Sequence, residues 1–315
     1  MVQRYIMRRL GTSAISLFFV SLIIFMSVRA SPGDVVTSML ADAGYTPARA
    51  AALRQQLGLD RPVLVQYADW AGHLIKGDFG QSMLSDKPVG GSIRQRLPIT
   101  LELAAGAASV ACVFGILIGV TAAVWRDRPA DYITRTIAIG IISVPGFVLA
   151  LSVIAFPAKL WGWSIPLRYF PPSDLARHVT FMIAPVILLG AALSGSIQRM
   201  TRAIMIEVLS SDYIRTARAK GLAESRIILG HALKNAAIPV VTIIGGQLAF
   251  LIGGSVIIET IFSIPGMGRL IVESLGVRDY PVVQGAAMVF AVAVVAMNLL
   301  VDMSYAYLDP RIRYH

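Results

Sequence analysis

Hydrophobic and polar positions along this chain fall in long blocks, not at strand spacing. Six runs contain no Asp, Glu, Lys or Arg: Leu10–Val28, Leu103–Trp125, Thr136–Ala158, Val179–Ile197, Ala236–Ile258 and Tyr280–Val301. At 1.5 Å per helical residue, each run is long enough to cross about 30 Å of hydrocarbon. Backbone groups in hydrocarbon must be satisfied within the chain, so such runs are read as helices. The pattern predicts an all-α, polytopic membrane protein with six transmembrane helices. The first run exceeds the apolar core of a signal peptide, commonly about 7–15 residues, and is read as a retained span; a cleaved signal is the alternative. Pro145-Gly146 and Pro185 fall mid-run and predict bends, either facing a pathway or made by ordinary packing.

The polar stretch 30–97 separates the first run from the rest. Thr46-Pro47 before ARAAALRQQLG reads as an N-cap, a proline at the first helical position and a stop at Gly58. A second, amphipathic helix is expected after Pro62, with Leu64, Tyr67, Ala71 and Leu74 on one face and a stop at Gly77. The chain thus divides into 1–29 (N-terminus and first span), 30–97 (amphipathic region), 98–309 (five further spans, including a polar loop at 199–235) and a 310–315 tail.

Composition agrees with this picture: 56% hydrophobic and 15% charged residues, with a mean hydropathy of +0.69, against roughly 25% charged in soluble domains. The net charge of +10 is read as basic loops beside a membrane and not as a nucleic-acid surface. If the N-terminus is cytoplasmic, Arg4, Arg8, Arg9, Arg126, Arg128, Arg135, Arg311, Arg313 and the basic cluster near residue 220 all lie inside. The two short outer loops then hold only Lys159, Arg168, Arg177, Arg269 and Arg278. That asymmetry places both termini in the cytoplasm.

Cys112 lies inside an apolar run, which leaves no disulfide framework. His73, His178, His231 and His315 are scattered without metal spacing, and no metal site is expected. The sequence contains no G-x-x-x-x-G-K-[ST] loop, so ATP hydrolysis is not expected of this chain. Charge pairs of the kind ion-coupled transporters carry inside the membrane are not foreseen. Glu102, Glu259 and Asp302 close apolar runs; Glu259 is expected to reach interfacial water or Arg269, with an ion or substrate path as the sharper alternative.

The longest polar interruption of the second half is Ser210–Asn235, SSDYIRTARAKGLAESRIILGHALKN, which carries Arg215, Arg218, Lys220, Arg226 and Lys234. Apolar residues recur at helical spacing at Tyr213, Ala217, Leu222, Ile227, Ile228 and Leu233. Asp212 suits a helix start and Gly221 a stop. Two short helices meeting at Gly221 are expected. From these residues alone the segment is either a loop kept basic by topology or a knob that meets another protein.

SDYIRTARAKGL followed by HALKN resembles the cytoplasmic "EAA" loop of ATP-binding-cassette importer permeases, in their dipeptide/oligopeptide/nickel branch. Arg215 stands where most families have glutamate, Thr216 replaces the first alanine and Lys234 replaces a proline. Further similarity lies in PGD (Pro32–Asp34), LGLDRP (Leu57–Pro62), GDFGQS (Gly77–Ser82), RLPITLEL (Arg96–Leu103), GSVIIETIF (Gly254–Phe262), SIPGMGRL (Ser263–Leu270), RDYPVVQG (Arg278–Gly285) and LDPRIR (Leu308–Arg313).

The resemblance implies a type I ABC importer permease fold in the bacterial cytoplasmic (inner) membrane. It implies a second homologous permease subunit, two ATP-binding-cassette ATPase subunits or domains that carry the ATP and Mg, and an external substrate-binding protein. Coupling to the ATPase is expected through Asp212, Tyr213, Ala217, Arg218, Ala219, Lys220, Gly221, Leu222, Ile227 and His231. Pro145, Gly146, Gln247, Gly253, Gly254 and Glu259 are the candidates for the pathway. The cargo expected is a di- or oligopeptide; nickel chelates or another small solute are the alternative, and a stand-alone secondary transporter or channel is the competing class.

Overall fold

The computed structural model describes residues 2–30, 36, 40, 46–56, 58–162, 164, 166 and 168–308. The Pro32–Asp34 motif, Leu57 and the 310–315 tail lie outside the described residues. The longer helices among the described residues are α1 Val2–Ala30, α2 Pro47–Gln56, α3 Val63–Ile75, α4 Val89–Val124, α5 Pro129–Ser143, α6 Gly146–Trp161, α7 Leu175–Leu209, α8 Asp212–Ala219, α9 Leu233–Ile261 and α10 Met267–Gly276. An eleventh, α11, is Tyr280–Leu308.

Four helices are each long and apolar enough to cross a membrane: α1 from Ile6, α4, α7 and α11 to Met303. Two bent pairs raise the number to six if each is one span. The first pair, α5 and α6, turns through 99°. Thr136–Ala158 was expected as a continuous span with a kink; instead Val144 and Pro145 leave the helical conformation and α6 restarts at Gly146. The second bend, of 49°, falls between Ala237 and Pro239, where proline has no N–H to give the preceding turn. At Pro185, by contrast, α7 runs on unbroken. Helix breaks therefore fall at Pro145 and before Pro239, whereas Pro185 lies within a continuous helix.

Contacts divide the chain into two compact units, one built on Leu101–Ile264 with residues from Met297 onward, the other on Tyr5–Thr100 with Pro265–Ala296. In the first unit, α4 and α7 approach closely along small residues. A Cβ on Gly115 would meet Ile197 at 2.8 Å, and one on Gly119 would meet Thr201 at 2.7 Å. A Cβ on Gly190 would lie 2.7 Å from the Ala107 carbonyl oxygen. Such contacts replace the hydrophobic drive that lipid cannot supply between helices.

Two polar cross-braces, both made by residues outside the six charge-free runs, also hold this unit. Arg202 of α7 donates to both Asp131 carboxylate oxygens, at 2.7 and 2.6 Å, with Asp131 fully buried. The Asp127 N–H adds a third bond to that carboxylate at 3.1 Å. His178, buried near the start of α7, has Nε2 2.6 Å from Glu102 Oε1 and Nδ1 2.6 Å from the Phe170 carbonyl oxygen.

In the second unit, α2 begins and ends as its caps require. Thr46 Oγ1 accepts from the Arg49 N–H, and Gly58 takes φ +64°. The helix after Pro62 forms as expected, but its packed face is Tyr67, Trp70 and Leu74, while Leu64 is 73% exposed. Tyr67 and Trp70 pack on Phe25 of α1, and the Tyr67 and Ser21 hydroxyls are 2.8 Å apart. The Arg29 guanidinium stacks 3.5 Å from the Phe25 ring centre and donates to Gln66.

The motifs of this unit clasp one another. Ser82 Oγ donates to Asp279 at 2.5 Å, and the Met83 N–H reaches the same carboxylate at 3.1 Å. The Met267 N–H donates to Thr100 Oγ1 at 2.8 Å. A Cβ on Gly285 would sit 3.0 Å from Val89 and 3.3 Å from Phe79, so only glycine lets those side chains lie against α11. GDFGQS, RLPITLEL, SIPGMGRL and RDYPVVQG thus serve one packed assembly.

Candidate coupling site at the Gly221 turn

Helix α7 continues past its apolar run to Leu209 and is followed directly by α8, whose N-cap is Ser211 with extended backbone. Asp212, expected to start the helix, is its first residue and bonds Arg215 at 3.3 Å. The buried face of α8 is Ile214 and Ala217, three residues apart. Tyr213, expected on that face, is 42% exposed and its hydroxyl accepts from Asn235 Nδ2 at 2.8 Å.

The end of α8 is a glycine stop of the Schellman type. Gly221 takes φ +74°, its N–H bonds the Arg218 carbonyl oxygen at 2.9 Å, and the Leu222 N–H bonds that of Ala217 at 3.4 Å. This pairs carbonyls that the last turn leaves without intrahelical donors. A side chain at Gly221 would meet nothing within 4 Å. The requirement for glycine is thus dihedral and not spatial: other L-residues strain at positive φ. The turn leaves room; it is the backbone that excludes a substitute.

Beyond the turn the expectation of a second short helix is revised. One helical turn, Glu224–Arg226, leads into a π-helical turn, Ile227–Ala232, which runs straight into α9. Single π-turns inside longer helices are frequent at functional sites. Here the extra residue per turn sits between the knob and the α9 span. The Gly221 turn is therefore joined through helix to α9, which bends by 49° between Ala237 and Pro239.

The knob is anchored from beneath. Ile214, Ala217, Ile227, Ala232 and Ala236 are buried with Ala123 of α4 and Met205 of α7, and Leu222 and Ile228 pack on this cluster. Across the top, Arg218 donates to Glu224 through Nη2 at 2.6 Å and Nε at 3.2 Å. Those bonds hold the Arg218 guanidinium above its ordinary range, with the side chain still about half exposed. Asp212, Arg215, Arg218, Ala219, Lys220, Gly221, Arg226 and His231 all face outward. The arrangement is an apolar root carrying a convex, predominantly basic surface, suited to seating in a complementary protein cleft.

Of the expected coupling residues, Ala217 and Ile227 are root, Leu222 is half-buried, and the rest are surface. Ile214, Ala123, Met205, Asn235 and the Arg218–Glu224 bridge were missed. Spacing to Ala217 did not choose between Tyr213, four residues before it, and Ile214, three before it; the others meet the knob through the fold. The pathway candidates fall at two places in the chain, Pro145 and Gly146 between α5 and α6, and Gln247, Gly253, Gly254 and Glu259 on α9. Gln247 Nε2 donates to Ser196 Oγ of α7 at 2.8 Å, and Gly254 faces Leu189 of the same helix. Gly253 is exposed, and Pro145 and Gly146 form the exposed corner between α5 and α6. Glu259 is fully buried, so of its two expected surroundings, interfacial water and a basic side chain such as Arg269, the open aqueous one does not apply within the chain.

Comparison with known proteins matches this geometry to a family. Residues 115–314 match the model for the binding-protein-dependent transport system inner membrane component, and residues 1–104 match that family's N-terminal model. The glutathione transport system permease proteins GsiC of Salmonella choleraesuis and Salmonella typhi are each 41% identical, covering 98% of this chain and 99% of theirs. Among solved structures, an amino acid ABC transporter aligns with a TM-score of 0.55 at 17% identity, over 69% of this chain and 94% of that one. The MetNI methionine ABC transporter, in an inward-facing form, aligns with a TM-score of 0.55 at 20% identity, over 69% and 96%. With helices that continue from the Gly221 turn into a span, and a similarity that runs the length of the chain, this protein belongs to the binding-protein-dependent transport system inner-membrane components, the permease subunits of ATP-binding-cassette importers.

Proposed function

We propose that this chain is one half of a peptide-importing pathway, driven through the Gly221 turn by a cytoplasmic ATPase. The observation that carries the reading is the turn itself: an apolar root shared with α4 and α7, an exposed basic crown and an unbroken helical route into α9. A second permease subunit completes the pathway, two ATPase subunits supply ATP hydrolysis with Mg, and an external binding protein delivers cargo. Closure of the ATPases shifts the turn, and α9 carries the shift to the pathway, which opens alternately to either side. The cargo class favoured is a di- or oligopeptide, since the most similar relatives named above are glutathione permeases and glutathione is itself a small peptide.

Selectivity rests mainly with the binding protein in this reading. Gln247, a candidate polar contact on α9, is already engaged with Ser196 of the same chain, and a passage that gripped its cargo tightly would slow release. Reconstituted with its partners, the chain is expected to import a di- or tripeptide only when ATP and the binding protein are both present. Uptake of a nickel chelate in preference to every peptide would overturn the cargo; uptake driven by an ion gradient without ATP would overturn the mechanism.

The orientation proposed puts both termini and the Gly221 turn in the cytoplasm, on the strength of the arginine and lysine distribution. In a Cys112→Ser background, Arg168→Cys is expected to react with an impermeant thiol reagent in sealed right-side-out vesicles, while Arg218→Cys stays unlabelled until the vesicles are opened. Labelling of Arg218→Cys in sealed vesicles would reverse the topology.

A further inference from the structure

An apolar groove of about 290 Å³ runs between the end of α3 and the flank of α11. Its lining is Leu74, Ile75, Phe79, Met288, Val289 and Val292, without one polar side chain. Phe79 forms its floor, held from behind by Val89 and made possible by the bare Gly285. Met288 is buried at the base, whereas Val292 and Ile75 stand open at the mouth, Ile75 with 87% of its surface exposed. An exposed isoleucine beside a preformed apolar slot is an unfinished contact.

The position of the groove says what finishes it. Met288 to Val292 lie 8 to 12 residues into α11, about 12–18 Å from its Tyr280 end. They fall within the stretch of α11 that is apolar enough to cross a membrane. The other wall, α3, has the pattern of a helix lying in a membrane interface. Tyr67 and Trp70 pack on Phe25, the exposed Leu64, Ala68 and Ile75 adjoin them on one side of the helix, and Gln66, Asp69, His73 and Lys76 form a polar stripe on the other. Lys76 follows Ile75 directly in the chain, so a long, exposed cationic side chain begins one residue from the groove's lining.

We propose that this groove is a discrete phospholipid site: an acyl chain lies along Phe79, Met288 and Val289, and Lys76 meets the phosphate. The occupant must be apolar, flexible and headed by an anion. A bilayer phospholipid meets all three requirements, and the site would join the α3 interface helix to the α11 span through one bound lipid. Met288 and the branched aliphatics around it suit a chain of variable shape.

The test uses the detergent-solubilised complex that the affinity-tagged full-length chain brings with it. Native mass spectrometry counts retained phospholipids, and Val292→Cys in a Cys112→Ser background carries a bimane label for quenching by lipids with brominated acyl chains. The expected result is strong quenching in the reconstituted complex, together with one retained phospholipid in the wild type. Retention is expected to fall about tenfold in Ile75→Glu, the loss of roughly two buried methylene contacts. Since Ile75 is nearly fully exposed, this variant leaves the packing of the chain unchanged. A label shielded from brominated lipid in the complex but quenched in the isolated chain would mean that a protein subunit covers the groove, and the proposal would fall. Quenching with unchanged retention in Ile75→Glu would reduce the groove to ordinary bilayer contact and overturn it equally.

Discussion

Asp131→Ala is expected to destabilise the folded chain by about 3–5 kcal/mol, the range found when one partner of a buried ion pair is removed. Asp131 is fully buried and the Arg202 side chain is only 18% exposed, so the guanidinium left behind cannot rehydrate without moving α7. Two bonds from Arg202 and one from the Asp127 N–H are lost together. The measurement is the midpoint of denaturant-induced unfolding of the purified protein in mixed micelles. Pairing the change with Arg202→Met should recover most of the loss, because the cost lies in the unpaired charge and not in the absent attraction. A single variant within about 1 kcal/mol of wild type would show that the pair is not a brace.

Gly221→Val is expected to leave the chain in the membrane while lowering substrate-stimulated ATP hydrolysis and uptake about tenfold. Holding a non-glycine residue at φ +74° costs about 1–2 kcal/mol, and about 1.4 kcal/mol is a factor of ten in an equilibrium. The strain acts on the two hydrogen bonds that close α8 and on the bridge from Arg218 to Glu224, so the surface offered to the ATPase changes shape without losing its root. Gly221→Asn is the control. Asparagine tolerates the left-handed region better than valine, and this variant should retain most activity. Normal ATPase stimulation and uptake in Gly221→Val, at matched membrane abundance, would sink the coupling role.

The Gly221 turn shows how a site can be read in part from a sequence. A glycine after a run with helical spacing marks a left-handed stop because few other residues adopt that backbone, so Gly221 and Gly58 were both legible from local chemistry. Tyr213 was misplaced, because spacing alone does not say which side of a short helix faces the protein. Its hydroxyl found Asn235, 22 residues away, and Ile214 took the buried position. The second short helix was misread for the opposite reason. A π-turn has no composition of its own, and Ile227–Ala232 simply continues into α9.

The four to six apolar spans, a polar region between the first two and the stops of α2, α3 and α8 follow from the sequence by itself. Each depends on interactions within a few residues or on the bulk cost of placing charge in lipid, and both are properties of composition and order. What only the tertiary structure decided is which residues far apart in the chain meet. Asp131 finds Arg202 across 71 residues, Glu102 finds His178 across 76, and Ser82 finds Asp279 across 197. The break at Pro145 belongs with these. A proline permits a bend of any size, and packing of α5 and α6 against α7 sets it at 99°. Pro185 carries the same covalent licence, yet α7 continues through it without a break, in a helix packed against the small residues of α4.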